Sequence, residues 1–278
     1  MKPPRFDYEC PETLEEAVEL LATFGEDAKI LAGGQSFVPM LNLRLARPET
    51  IIDIRKLPLG DLHLDQDNLT VGALVRHRQL EIDPMVKLGC QALAQAAPHI
   101  GYRSIRNRGT FGGSVAHADA TAEIPLCSLA VGATVTALSG RGQREIDIED
   151  FFLGPFTTAL EADEILTKVT LPRMKPDRFQ GFAEVARRSG DFALVAAAVS
   201  YLAGGDTIRV ATVGLGPTAQ LVEVSGQVDK SDRESLESIS TQAVQRFGEL
   251  NQSLTEFQER AAKAVIIDAL VNAQSGEE

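Results

Sequence analysis

The feature that most constrains this chain is a glycine turn, Ala32-Gly33-Gly34-Gln35-Ser36, set between an apolar strand and a helix. Ala28-Lys29-Ile30-Leu31 reads as a short strand leading into it. Residues 38–45 read as a helix after it, with Pro39 tolerated in the first turn, and Ile51-Ile52-Asp53-Ile54 as the next strand. The spacing predicts a β-α-β unit whose glycine turn follows its first strand. Glycines there permit positive φ and let the backbone approach a ligand with no Cβ in the way. Successive N–H groups at such a turn, leading into a helix, form a nest suited to phosphate oxygens, and Ser36 adds a hydroxyl donor. A tight turn with no ligand explains the same residues equally well.

Upstream, Thr13-Leu14-Glu15-Glu16 reads as a capping box, and Leu14, Ala17, Val18, Leu21 and Phe24 follow helical spacing up to Gly25. Downstream, residues 69–74 read as a strand and 85–97 as a helix after Pro84. Residues 103–114 read as a structured loop, 124–131 as an apolar helix, and 133–138, 144–148 and 165–171 as strands. Pro172 and Pro176 mark a boundary. Beyond it, 182–187, 193–202 and 207–214 read as strands of an antiparallel sheet, although the Ala-rich middle run also fits a helix. Residues 225–240 read as loop and short helix. The last helix spans 255–272, with Phe257, Ala261, Ala264, Val265, Ile267, Ala269 and Leu270 on its apolar face. Three units follow: 1–56, 57–174 and 177–278.

A length of 278 residues is too long for one small core. The net charge of −12 argues against nucleic acid, whose phosphates demand a basic footprint, and against an anionic membrane surface. No apolar run approaches the roughly 20 residues needed to cross a bilayer. The N-terminal residues lack the apolar core of a secretory signal, so the expected location is the cytoplasm. Cys10, Cys90 and Cys127 are too scattered for a disulfide framework, a metal site or an iron–sulfur motif, and read as reduced thiols.

A second motif of the same character, Thr110-Phe111-Gly112-Gly113-Ser114, follows Arg106-Asn107-Arg108-Gly109. Two loops of this kind suggest a pyrophosphate lying between two domains. Neither is a Rossmann or P-loop fingerprint.

The segments KILAGGQSFVPMLNLRLARPETIIDI and SIRNRGTFGGSVAHADATAEIPL, with FAEVARRSGDFALVAAAV at 182–199, resemble the FAD-binding medium subunits of molybdenum hydroxylases of the xanthine and carbon monoxide dehydrogenase type. The resemblance spans essentially the whole chain. It implies an α+β fold: a two-part, PCMH-type (VAO-like) FAD-binding domain followed by a C-terminal domain of antiparallel sheet and helices. It implies that Ala32, Gly33, Gly34, Gln35 and Ser36 wrap the FAD pyrophosphate, with Lys29 and Leu31 in the strand before them. Thr110, Gly112, Gly113 and Ser114 form the opposing loop; Ser114 stands where the family usually has Asn. Glu123 takes the place of an acidic residue that bonds the adenosine ribose, and Leu166 packs on the adenine. Ile100 falls where some members put an aromatic ring beside the isoalloxazine, and Ala183 where some have Lys. The resemblance further implies a large partner carrying the molybdenum cofactor and a small partner carrying two [2Fe–2S] clusters, assembled as a dimer of heterotrimers. This chain then relays electrons to an external acceptor.

His117 and Asp119 follow the second motif, where they either tune the flavin or satisfy loop backbone groups. His63, His77 and His99 have no partner at metal-ligand spacing and read as surface or helix-end residues. Arg187, Arg188 and Asp191 form either an interdomain ion pair or a solvated strand end. No side chain stands out as a nucleophile or general base, which suits electron relay. A stand-alone flavin oxidoreductase is the alternative and would need an acid or thiol at the flavin, Cys127 being the nearest in sequence. A non-enzymatic nucleotide sensor is the third reading.

Overall fold

The computed structural model describes residues 2–274, so residue 1 and residues 275–278, the outer ends of the first and third expected units, lie outside the described residues. The chain opens with strand β1 (Asp7–Glu9), helix α1 (Leu14–Phe24), β2 (Ala28–Leu31), α2 (Phe37–Asn42) and β3 (Thr50–Asp53). The expected β-α-β unit is present as β2-α2-β3, and β1 adds to it, giving a parallel sheet of order β1-β3-β2. The Thr13 hydroxyl caps α1 by accepting from the Glu16 N–H at 3.2 Å. The reciprocal arm differs from the expected box: Glu16 accepts from the Glu12 N–H, one residue before the cap.

Strands β4 (Leu62–Leu64) and β5 (Asn68–Gly72) lead into α3 (His77–Ile82), α4 (Pro84–Gly89) and α5 (Gln91–Ala96). Sequence spacing predicted one helix over 85–97. The structure breaks it at Cys90, whose φ of −150° and ψ of 95° are extended. Next come α6 (Arg103–Arg106), α7 (Phe111–His117), α8 (Glu123–Val131), β6 (Thr134–Ser139), β7 (Gly142–Asp147), α9 (Ile148–Phe151), the small hairpin β8 (Phe152–Gly154) and β9 (Thr157–Thr158), and β10 (Ile165–Pro172). The longer strands form an antiparallel sheet of order β4-β5-β10-β6-β7.

The last part pairs β11 (Arg178–Ala186), β12 (Ala193–Leu202), β13 (Thr207–Val213) and β14 (Gln220–Ser225) in sequential antiparallel order, backed by α10 (Arg233–Leu250) and α11 (Glu256–Ala273). The Ala-rich run is therefore a strand. Its periodicity was silent because both faces are covered: Ala196 and Ala198 join the core shared with α8, while Val195, Ala197 and Val199 join the core under α10 and α11. Small side chains suit this position, since a sheet packed on both sides has no polar face to alternate with. The stretch expected as loop and short helix does run from the end of β14 through irregular chain into a helix, but that helix, α10, is 18 residues long. Leu236, Ile239, Ala243, Val244 and Phe247 supply the buried stripe of α10, spaced widely among polar residues. Among the described residues, no helix is long and apolar enough to cross a membrane.

Candidate functional site

Strand β2 ends at Leu31 and delivers the first glycine turn. Gly34 takes φ +73°, a value that suits glycine. The Val38 N–H then bonds to the Gly34 carbonyl at 3.1 Å, which starts α2, and Gln35 Nε2 donates to the Gly33 carbonyl at 3.0 Å. Among the described residues, the backbone N–H groups of Gly33, Gly34, Gln35 and Ser36 meet no acceptor. They are the donors that a phosphate nest requires.

The second motif is built differently. It is the first turn of α7 rather than a loop, with Thr110 as N-cap. Its amides are consumed within the protein: Phe111 N–H by the Val75 carbonyl (2.9 Å), Gly112 N–H by the Ala73 carbonyl (3.0 Å), Gly113 N–H by Thr110 Oγ1 (3.2 Å) and Ser114 N–H by the Thr110 carbonyl (3.0 Å). Thr110 and Gly112 are buried, which leaves half-buried Gly113 and Ser114 as the part that another molecule can touch. The expectation of two equivalent amide loops is corrected to one nest and one helix start.

Backbone contact brings the two motifs together. A Cβ at Gly33 would collide with the Arg108 carbonyl oxygen and stand 2.8 Å from the Gly109 Cα. A Cβ at Gly113 would stand 3.7 Å from the Ala32 Cβ. Glycine at position 33 thus makes room for the protein's own chain rather than for a ligand. Residues 73–77 hold the other side. The Arg76 guanidinium donates to the Arg108 carbonyl, the His77 N–H to the Gly109 carbonyl (3.1 Å), and His77 Nε2 to the Thr110 carbonyl (2.9 Å). His77 is therefore at a helix start, as expected, but buried rather than on the surface. Burial pushes its pKa down to about 4, so the ring is neutral at pH 7. Burial and the nearby Arg108 also lower Arg76. Sequence reasoning missed the role of both side chains, because their partners lie 32 and 33 residues away along the chain and no local spacing betrays them.

From this junction a wall of polar groups continues. Lys29 is exposed on β2 and close enough to depress His117, which is lowered chiefly by burial and packs its ring 4.9 Å from Phe156. Asp119 takes the structural role: its Oδ1 accepts from the Thr121 N–H (2.9 Å) and hydroxyl (2.7 Å). Glu123 begins α8 and is only 8% exposed, and burial pushes its carboxyl up to about 7, with Glu184 and Asp119 adding to the effect. Glu184, on β11, pairs with His99 at 2.9 Å, and that partner raises the His99 pKa. Ile100 follows His99 and is buried; Arg106 fixes this corner by donating to the Ile100 (3.3 Å) and Gly101 (2.7 Å) carbonyls while held by Glu81 (2.9 Å). Leu31 is half-buried at the end of β2.

Two further positions lie in the sheets. Leu166 is buried within β10, opposite Ala137 in the sheet core. Ala183 packs on the core under α10 and α11, whereas Phe182 joins the first core, because neighbours on a strand point to opposite faces. Arg187 and Arg188 are exposed at the β11–β12 turn, the solvated strand end of the two readings. His63 is exposed on β4. Cys90 and Cys127 are fully buried, and burial pushes both thiols up, to about 12 for Cys90, so neither presents a thiolate to a flavin at neutral pH.

Comparison with known proteins identifies the arrangement. Residues 4–174 match the family model described as the FAD binding domain in molybdopterin dehydrogenase. The nicotine 6-hydroxylase medium subunit of Paenarthrobacter nicotinovorans is 41% identical over 218 residues, 78% of this chain and 76% of that one. The carbon monoxide dehydrogenase medium chain of Hydrogenophaga pseudoflava is 37% identical over 223 residues, 79% of this chain and 78% of that one. Among solved structures, carbon monoxide dehydrogenase from Hydrogenophaga pseudoflava superposes with a TM-score of 0.89 at 31% identity, covering 98% of both chains. Quinoline 2-oxidoreductase from Pseudomonas putida 86 does so with 0.85 at 34% identity, again covering 98% of both. A matched family model over more than half the chain, with full-length structural likeness, settles the assignment: this chain belongs to the FAD-binding medium subunits of the molybdenum hydroxylase family.

Proposed function

We propose that this chain is the electron-relaying subunit of a heteromeric molybdenum hydroxylase, working in the cytoplasm. It accepts electrons from the [2Fe–2S] clusters of a small partner, which draws them from a large subunit carrying the molybdenum cofactor. It then delivers them to an external acceptor, in an assembly that is a dimer of heterotrimers. The observation that carries this reading is the nest of unpaired amides at Gly33, Gly34, Gln35 and Ser36, locked by backbone contact to the start of α7.

The residues present fit FAD. The unpaired N–H groups suit its pyrophosphate, with the Ser36 hydroxyl beside them and Ser114 across the junction. Lys29 adds a cation to that region, Glu123 offers an acceptor for ribose hydroxyls, and Ile100 lines the isoalloxazine end. When bound, FAD supplies the redox chemistry, while the protein supplies position and electrostatics. The Thr110 and Gly112 contributions are indirect in this reading, since both are buried and shape the junction. Leu166, buried in β10, is assigned the packing against the adenine. The three units, 1–56, 57–174 and 177–278, are proposed as domains, the FAD lying where they meet.

Affinity purification from the native host, followed by a visible spectrum and identification of co-eluting subunits, tests the proposal. A flavin spectrum with iron–sulfur and molybdenum subunits is the expected result. Turnover of a substrate by the isolated, FAD-loaded chain would overturn it in favour of a stand-alone oxidoreductase.

A further inference from the structure

The two glycine motifs bring no charge of their own: neither residues 32–36 nor residues 110–114 include a charged side chain. A diphosphate is an anion, and it approaches a chain of net charge −12, whose overall field repels it. Unpaired amides orient such a group, but a local cation is needed to offset the repulsion. The structure holds one at the junction, outside both motifs.

Arg76 immediately precedes α3 and is paired backbone to backbone with Thr110 in an isolated antiparallel bridge. Its guanidinium donates to the Arg108 carbonyl oxygen, the atom that a Cβ on Gly33 would collide with. One carbonyl oxygen therefore separates the guanidinium from the first glycine of the nest. That bond uses one nitrogen of the fork, and among the described residues its other N–H groups meet no protein acceptor. Arg76 is half-buried; Arg108 is exposed, and near enough for the two charges to repel. Among the described residues, neither forms an ion pair. The carboxylate whose charge reaches Arg76 is Asp53, at the end of β3, and it is already held by Arg55 Nε at 2.8 Å and the Tyr8 hydroxyl at 2.7 Å. Two guanidinium groups kept close without a carboxylate of their own repel, and an anion bound beside them relieves that repulsion.

We propose that Arg76, with Arg108 beside it, is the cation that binds the FAD diphosphate at the nest of residues 33–36. This rests on the reading of that nest as the pyrophosphate site. The planar fork of an arginine keeps the Arg108 carbonyl on one nitrogen and presents others to a phosphate oxygen, in a charge-assisted bond that a lysine makes only as a point charge. The half-buried setting of Arg76 limits screening by salt, whereas the exposed Arg108 adds a weaker, more easily screened charge.

The test is fluorescence titration of the full-length apoprotein with FAD at about 0.02 and about 0.5 M salt. Arg76→Gln should weaken binding by about tenfold or more at low salt, and by less at high salt. Arg76→Lys should recover part of that loss. Arg108→Gln, at an exposed side chain, should lose about two- to threefold at low salt and little at high salt. Arg233→Gln on α10 removes the same charge from an exposed pair with Glu237 and should match wild type. Competition gives a second readout: inorganic pyrophosphate should displace FAD from wild type at lower concentration than from Arg76→Gln, while adenosine acts on both alike. Wild-type FAD affinity in Arg76→Gln overturns the proposal. So does a loss that is equal at both salts and extends to adenosine, because Arg76 then only props the Arg108 carbonyl. Should melting curves show Arg76→Gln unfolded, an Arg108→Gln titration that superposes on wild type overturns it. A wild-type apoprotein that takes up no FAD removes the underlying pyrophosphate reading instead.

Discussion

Gly33 and Arg108 meet backbone to backbone, so that any side chain at position 33 would run into the Arg108 carbonyl oxygen. The same carbonyl accepts the Arg76 guanidinium, which fixes it from the other side. Neither partner can yield without moving residues 108–110 off the His77 bonds. Gly33→Ala is expected to cost about 1–3 kcal/mol of stability by overpacking. It should also weaken FAD binding by on the order of tenfold, equivalent to about 1.4 kcal/mol. Denaturant unfolding and a fluorescence titration measure the two; a fully stable variant with wild-type FAD affinity would show that the contact is slack.

His77 gives the fold an acid limit. Its folded pKa of about 4 lies below the ordinary histidine value of 6.5, so the unfolded chain binds more protons between those limits. Its contribution to stability is complete above pH 6.5 and is lost as the pH falls toward 4, by up to about 3 kcal/mol in total. His77→Gln, which does not titrate, should be less stable at pH 7 but show a shallower decline between pH 6.5 and 4. Unfolding free energies measured across that window decide it, and parallel curves for the two proteins would refute the assignment.

Gly181 is the close-approach point of the C-terminal part. A Cβ there would collide with the Ala269 carbonyl and stand 2.6 Å from the Ala273 N, both on α11. Gly181→Ala must push α11 off β11, at about 1–3 kcal/mol or more. We expect lower thermal stability and faster hydrogen exchange in α11, with exchange in β2 and α2 little changed.

Arg209 ties the C-terminal sheet to α8. Its Nε donates to the Ala130 carbonyl and a terminal nitrogen to the Leu129 carbonyl, both 3.1 Å, satisfying the end of that helix, while Glu149 and Glu223 hold the guanidinium. Arg209→Met keeps the stem and removes the donors, and should cost about 1–3 kcal/mol, chiefly through the Ala130 carbonyl left without its donor. Unchanged denaturant midpoints would mean that water replaces the guanidinium without loss.

Much of the fold was legible where the determinants are local. Strand, glycine turn and helix around residues 28–42 were readable because turn residues and short-range spacing act within a few positions. So was the last helix, which the structure starts with a capping box of Thr255 and Gln258. The break at Cys90 was not readable, since apolar residues continue through it. Nor was α10, whose buried positions are diluted by polar neighbours. The interchangeable appearance of the two glycine motifs misled for a similar reason: a Gly-Gly-hydroxyl string is the same whether its amides are free, as at Gly34, or spent on Ala73 and Val75, as in α7.

By itself, then, the sequence determined where the first nest forms, which elements flank it, and which family the paired motifs resemble, because these depend on neighbouring residues or on identity alone. Tertiary structure decided what each side chain faces. It put Glu184 and Ala183, adjacent in sequence, on opposite sides of β11, and it set Glu184 against His99. It also seated Arg108 against Gly33. Strand parity and contacts between distant segments make those choices, since burial, and with it the charge state of Glu123 and His77, exists only after the sheets and helices have packed.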